Sequence, residues 1–278
     1  VYDHPKVTVF RKTTDFDLAA IRSEFEQYDL DHVVRLTPRQ ADRAPHQLML
    51  TGETLAAQRK AGTWSQLYDR DGASNRLPTL FWLLMLYVIQ VAVWPLMAGV
   101  ARALPDGGHG LSKAAGLLLV AYLSWVLPAV RVAPYSGTLV WLGLALVATL
   151  SAWRLWRHGD ELLAFLQRRW RLLLAEEGLF LLLFAGMWLI RQANPDLWHP
   201  VVGGEKPMDL AYLNAVLKST YFPPYDPWFA GGAMNYYYWG WVIVGALIKL
   251  TGILPTVAYN LALPTLFALL GTGVASVV

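Results

Sequence analysis

The stretch FWLLMLYVIQVAVWPLMAGVARAL, residues 81–104, decides the fold class of this chain. It carries no charged side chain before Arg102, and an apolar helix needs only about 20 residues to cross the hydrocarbon core of a bilayer. Membrane helices tolerate an internal proline because neighbouring groups satisfy the freed backbone. We therefore predict a membrane-spanning helix that Pro95 kinks without ending.

The composition of the whole chain agrees with this interpretation. Of its 278 residues, 55% are hydrophobic, 15% are charged and 13 are tryptophan, a balance typical of membrane proteins. Further apolar runs predict spans at about 113–130, 138–156, 177–190, 237–250 and 255–278. The predicted fold class is thus an all-α polytopic membrane protein with about six transmembrane helices and a small α+β N-terminal segment.

The polar N-terminal part, residues 1–78, contains no apolar run of spanning length. Alternating β-branched residues predict a strand at 7–10, a helix at 18–28 follows the potential N-cap Asp17, and a second helix is predicted at 51–60. We divide the remainder into a three-helix transmembrane region at 79–157, a basic loop at 158–173 and a module at 174–278.

Arginine distribution predicts the orientation in the membrane. The connection after the third span carries Arg154, Arg157, Arg168, Arg169 and Arg171. Positively charged loops stay in the cytoplasm, so residues 1–78 and the loop 191–238 are expected on the extracytoplasmic side of a multi-pass plasma-membrane protein. A net charge of +3 does not favour nucleic-acid binding, and the absence of cysteine excludes disulfides and thiolate nucleophiles.

The loop GGEKPMDLAYLNAVLKSTYFPPYDPWFAGGAMNYYYWG, residues 203–240, is too rich in aromatic and charged residues for a plain connection. Pro207 suits the first turn of a helix over 208–219 lying on the membrane surface. Asp209 or Glu205 could deprotonate an acceptor hydroxyl, and Lys206 with the free N–H groups could hold a phosphate. The alternative is a helix-capping arrangement without chemistry.

Other polar residues allow two interpretations each. Asp226 forms a turn or binds a cation or sugar hydroxyl, the tyrosines belong to an interfacial belt or point into protein, and Arg191 faces the loop or snorkels. The candidate substrate-binding residues are Lys206, Asp226, Tyr236, Tyr237, Tyr238, Arg191 and Trp228. Glu176 and Glu177 are expected to pair with Arg171 or to stabilise a helix N-terminus. Histidine spacing predicts no metal site.

The motifs GGEKPMD, FPPYDPWFAGG and NYYYWG resemble the YYY membrane protein family of Chloroflexi and Archaea, which is similar in organisation to the GT-C glycosyltransferases. The resemblance covers about 175–278. It implies transfer of a sugar from a polyprenyl-phosphate donor, with Asp209 or Glu205 as the base, Lys206 at the lipid phosphate, and a divalent cation as a candidate cofactor. Residues 1–12 resemble the closing strand of an extracytoplasmic domain, so we expect the chain to be a piece of a longer polypeptide.

Two other functions stay open at this point. The chain could be a transporter or flippase-like protein for lipid-linked sugars, although the predicted spans carry almost no ionisable residue away from their ends. It could also be a non-catalytic structural protein, in which the loop only covers the membrane surface. The expected partners are the lipid bilayer, the lipid-linked donor and the remainder of the parent polypeptide.

Overall fold

The computed structural model describes residues 16–27, 68–197, 204–229, 232–235 and 237–278. The chain divides into two compact units, residues 1–57 and 58–278. In the first unit, helix α1 (Leu18–Glu26) begins after Asp17, whose carboxylate accepts from the N–H groups of Ala19 and Ala20. The predicted helix and its N-cap are confirmed.

Two other N-terminal predictions, the strand at 7–10 and the helix at 51–60, lie outside the described residues. No strand occurs in the part of the chain that the structure describes. The α+β character of the N-terminal segment therefore stays a prediction.

The second unit is built from helices. They are α2 (Ala73–Arg76), α3 (Pro78–Val100), α4 (His109–Ala129), α5 (Gly137–Ala193), α6 (Lys206–Lys218), α7 (Trp239–Thr251) and α8 (Pro255–Val277). Among the described residues, four of them are long and apolar enough to cross a membrane, namely α3, α4, α5 and α8. Helix α3 continues through Pro95, as predicted.

Helix α5 joins two predicted spans in one helical segment. It contains 57 residues and includes both the third and the fourth predicted span, together with the segment 158–173 that was predicted to be a loop. That loop prediction was wrong because the segment is basic but contains no proline and consists mainly of good helix formers. Its backbone leaves the helical region only at His158, where φ is −134° and ψ is 25°.

The first half of α5 packs parallel to α3, because residue numbers rise together along the two helices. The hydroxyl of Ser151 donates to the carbonyl of Ala92, and Nε of Arg154 donates to the carbonyl of Pro95 at 2.6 Å. Side chains that bind backbone carbonyls across helices hold membrane helices together where no hydrophobic driving force acts between them.

The second half of α5 runs back along α3. Nε2 of Gln90 donates to Glu177 at 2.7 Å, and the ring of Phe180 lies 6.3 Å from that of Tyr87. Residue numbers on α3 thus fall as those on α5 rise, the reverse of the first half. The kink at His158 therefore turns the chain back, and the two helical parts of α5 both pack on α3.

Helices α3 and α4 form an antiparallel pair, with His109 beside Trp94 and Lys113 over Tyr87. The start of α3 and the end of α4 therefore share one end of the bundle, which we call the loop end. The opposite end, where α4 begins, is the kink end. Between them lies an apolar core whose largest members include Trp82, Phe180, Leu86 and Ile89.

Helix α7 corrects the predicted fifth span, 237–250. It has 13 residues and is therefore about 20 Å long, short of the roughly 30 Å hydrocarbon core. Both of its ends lie at the loop end. It starts after Tyr238, which stacks on Phe222, and finishes at Gly252, whose carbonyl accepts from Asn75 just before α3. We conclude that α7 packs at this end without crossing the bundle.

Candidate functional site

Helix α6 positions the acidic residues of the loop. It begins at Lys206 with Pro207 in its first turn and carries Asp209 there too, so the predicted helix is confirmed. Leu213 and Val216 are buried against the core. This packing anchors the helix, so the position of Asp209 is determined by the body of the molecule.

Asp209 is held by a residue of α8. The hydroxyl of Tyr259 donates to Oδ2 of Asp209 at 3.1 Å, and the ring of Trp241 stacks on the Tyr259 ring with centroids 5.9 Å apart. Burial raises the pKa of Asp209 above its ordinary value, and the charge of Glu205 adds to that shift, whereas the Tyr259 hydrogen bond opposes it. A half-buried carboxylate with a raised pKa suits a general base.

Arg191 lies in the last turn of α5 and is only 8% exposed. Its Nε donates to Oδ1 of Asn260 at 3.0 Å, its terminal nitrogen donates to the same oxygen, and the Asn260 amide donates to the carbonyl of Pro195 at 3.1 Å. No carboxylate of the described residues forms an ion pair with it. Arg191 therefore points into protein and does not snorkel.

Two consecutive residues of α8 thus bind one carboxylate and one guanidinium. Tyr259 holds Asp209, Asn260 holds Arg191, and the positive charge of Arg191 also acts on Tyr259. Sequence analysis missed Tyr259 and Asn260. The signal that could have found them is the pair Tyr-Asn in an otherwise apolar start of the last predicted span.

The other two charged candidates of the loop lie nearby but are less enclosed. Glu205 is exposed and makes no side-chain cap to α6, so the capping alternative does not describe it. Nζ of Lys206 donates to the carbonyl of Asp196 at 3.3 Å. Lys206 thus ties the helix start to the chain that follows α5.

In the aromatic half of the loop, some side chains pack against protein and others are exposed. Oδ1 of Asp226 accepts from the N–H groups of Trp228 and Phe229, which gives Asp226 a turn-forming role. Trp228 is 53% and Tyr237 50% exposed, whereas Tyr238 stacks on Phe222. Tyr236 lies outside the described residues. Of these residues, Tyr237 interacts electrostatically with Tyr259, the tyrosine that holds Asp209.

No three histidine, aspartate or glutamate side chains in the described ranges are grouped so that they could hold a metal ion. The divalent cation implied by the resemblance therefore has no site that we can assign to these residues. The candidate site at the loop end accordingly consists of an acid, a guanidinium and the two α8 side chains that hold them.

A second polar cluster lies between α3, α4 and α5, towards the kink end. His109 Nδ1 lies 3.1 Å from Glu176, and Nζ of Lys113 lies 2.7 Å from both carboxylate oxygens of Glu177. Gln90 contacts Glu177 and His109. Neither expectation for the two glutamates, pairing with Arg171 or stabilising a helix N-terminus, was correct, because they lie inside α5 and contact His109 and Lys113 of α4.

Comparison with known proteins places the chain in a family. Residues 119–278 match the model of the family described as "Uncharacterized membrane protein (DUF2298)". No curated protein and no solved structure matches the chain. The matched region contains Asp209, Arg191, Tyr259 and Asn260 and covers more than half of the 278 residues. The chain belongs to this family of membrane proteins, in agreement with its apolar spanning helices.

Proposed function

We propose that this chain carries the acceptor-side site of a membrane glycosyltransferase of the GT-C kind, which moves a sugar from a polyprenyl-phosphate donor on the extracytoplasmic face. The observation that carries the proposal is that Tyr259 and Asn260, which follow one another on α8, bind the Asp209 carboxylate and the Arg191 guanidinium. The resemblance of the loop motifs to the YYY family supports the same activity.

The proposed step is an inverting displacement. The acceptor hydroxyl attacks the anomeric carbon of the donor and forms the new glycosidic bond, while its proton passes to the carboxylate of Asp209. The bond between the anomeric carbon and the phosphate oxygen breaks, and the lipid phosphate leaves with the electron pair. The raised pKa of Asp209 helps it to accept the proton.

Arg191 is the candidate for stabilising the departing phosphate. Its guanidinium is buried and is bound in the described residues only by neutral oxygen. A buried cation without a counter-ion is costly, so an anionic group of the substrate would gain more there than at an exposed lysine. Lys206 and Glu205 would then contribute from the rim of the site.

The test is sugar transfer from a panel of polyprenyl-phosphate sugars by membranes containing the protein. Asp209→Asn should lower the rate by about 100-fold or more while donor binding is retained, because the general base is lost. Glu205→Gln should have a smaller effect. Asp160→Asn, an exposed position on α5, is the matched control and should leave transfer unchanged. Full activity of Asp209→Asn at equal expression would contradict the assignment of the base.

A second candidate function is transport of a lipid-linked sugar without reaction. The observation that favours it is the cluster of His109, Lys113, Glu176 and Glu177 inside the helix bundle, since ionisable residues within a membrane mark transport pathways. In the same panel, binding of donor without transfer, weakened by Asp209→Asn, would favour transport. Neither binding nor transfer would favour a structural protein.

A further inference from the structure

The second polar cluster is enclosed between α3, α4 and α5 near the first turn of α4, which begins at His109. Gln90 is near the midpoint of the 23-residue helix α3, which puts it about 15 Å or more from either helix end. The side chains of His109 and Glu176 are 13% and 7% exposed. Ionisable groups enclosed in this way between membrane helices are costly unless they are paired or protonated, and they usually have a function.

Two of the four ionisable groups neutralise each other. Lys113 Nζ lies 2.7 Å from both oxygens of Glu177, and this carboxylate also accepts from Gln90 at 2.7 Å and from the hydroxyl of Tyr87. Lys113 is 3% exposed. The pair is therefore complete, with a positive and a negative charge and further hydrogen bonds.

His109 and Glu176 form the second pair, and unlike Lys113 and Glu177 they do not carry fixed opposite charges. Their Nδ1 and Oε2 atoms are 3.1 Å apart, and Nε2 of His109 faces Gln90 at 3.2 Å and Glu177 at 3.5 Å. The pair is neutral overall when it holds one proton, as imidazolium with carboxylate or as imidazole with carboxylic acid. When that proton leaves, one negative charge remains between the helices.

Lys113 also interacts electrostatically with Glu176, but its single positive charge balances only one of the two glutamates. On α3 the ring of Trp94 packs edge-on against His109, and before α4 the carboxylate of Asp106 is occupied by the N–H groups of Gly108 and Gly110. The neighbouring side chain of α8 is the neutral Ser276, whose hydroxyl donates to Asp106. The charge of the His109 and Glu176 pair therefore depends on its own proton.

We propose that His109 and Glu176 form a proton-binding site within the membrane domain. The ligand is a single proton from the aqueous phase. The proton is held by His109 or Glu176, while Lys113 stays paired with Glu177. The site does not depend on sugar transfer, so it holds for either candidate function, and a transporter could use it as the coupling site.

The experiment uses protein with 15N-labelled histidine in lipid nanodiscs, with the ring signals of His109 assigned by His109→Gln and followed by NMR against pH. Glu176→Gln should lower the titration midpoint of His109, because the carboxylate that favours the charged imidazolium is removed. The matched control is the exposed pair of His158 and Glu161, 3.5 Å apart. There Glu161→Gln should move the His158 midpoint by a few tenths at most, because solvent screens exposed pairs.

Two results would overturn the proposal. One is a His109 midpoint that is the same in the wild type and in Glu176→Gln. The other is a His109 ring that keeps a single protonation state in the wild type over the whole pH range in which the protein stays folded. If Glu176→Gln does not fold, isotope-edited infrared spectra of the wild type replace it. A pH-dependent carboxyl or imidazole signal that His109→Gln removes supports the site, and its absence rejects it.

Discussion

Tyr259 controls the environment of the acid on which the proposed chemistry depends. Its hydroxyl donates to Asp209 from the second turn of α8, and Trp241 packs on its ring. The indole N–H of Trp241 is buried and has no partner in the described part of the chain. Trp241 therefore lies next to the tyrosine that holds the proposed base.

Tyr259→Phe should shift the pH dependence of transfer. The Tyr259 hydrogen bond stabilises the charged form of Asp209 and opposes the upward shift of its pKa by burial. Without the hydroxyl the pKa of Asp209 rises further. Because the base must be deprotonated, the acidic limb of the rate profile moves to higher pH, and the loss of rate is larger at low pH than at high pH. The measurement is the transfer rate over a pH series.

Tyr221→Phe is the control for this variant, since Tyr221 is an exposed tyrosine of the same loop. It should leave the profile in place. An acidic limb that stays unmoved in Tyr259→Phe, with a uniform loss at all pH values, would contradict the role of Tyr259 in tuning the base.

At the scale of elements, the close approach of α3 and α4 depends on one glycine. A Cβ added at Gly116 would overlap Cγ2 of Ile89 and would lie 3.0 Å from Cγ2 of Val93. Both neighbours are β-branched and have little freedom to move away. Small residues at such contacts let membrane helices pack closely.

Gly116→Ala should therefore destabilise the bundle by about 1–3 kcal/mol, the usual cost of overpacking. The measurement is the thermal unfolding midpoint in detergent or nanodiscs. Gly186→Ala on α5 is the matched control, because nothing lies within 4 Å of a Cβ built there, and it should cause no loss. Equal midpoints for the two variants would contradict the close contact of α3 with α4.

At the scale of the whole molecule, the orientation in the membrane stays a prediction that labelling can test. The chain contains no cysteine, so a single introduced thiol reports one position. Tyr221→Cys at the loop end should react with a membrane-impermeant maleimide in intact cells. Gly159→Cys, beside the kink and its arginines, should react only after permeabilisation, because basic segments stay in the cytoplasm.

The two variants serve as controls for each other, since both positions are open to reagent in the structure. Labelling of both from the same side would contradict the separation of the loop end from the kink end. If Gly159→Cys reacts in intact cells and Tyr221→Cys reacts only after permeabilisation, the fold is preserved but the predicted orientation is reversed. The candidate site would then not be extracytoplasmic.

The sequence correctly predicted the helices that are determined by residues within one short segment. Unbroken apolar runs predicted α3, α4 and α8, and Asp17 and Pro207 predicted the starts of α1 and α6. The same local rules misjudged α5 and α7. Arginine content suggested a loop where the backbone stays helical, and an apolar run shorter than the bilayer is thick suggested a span.

By itself, then, the sequence determined that this is a helical membrane protein with an acid-bearing helix in a long loop. Hydrophobic length, proline position and helix caps act within one segment and can be read there. Only the tertiary structure decided that α5 turns back at His158, that Tyr259 and Asn260 hold Asp209 and Arg191, and that Glu176 meets His109. Those pairs are dozens of residues apart in the chain, and only the packing of the helices brings their side chains within a few ångströms.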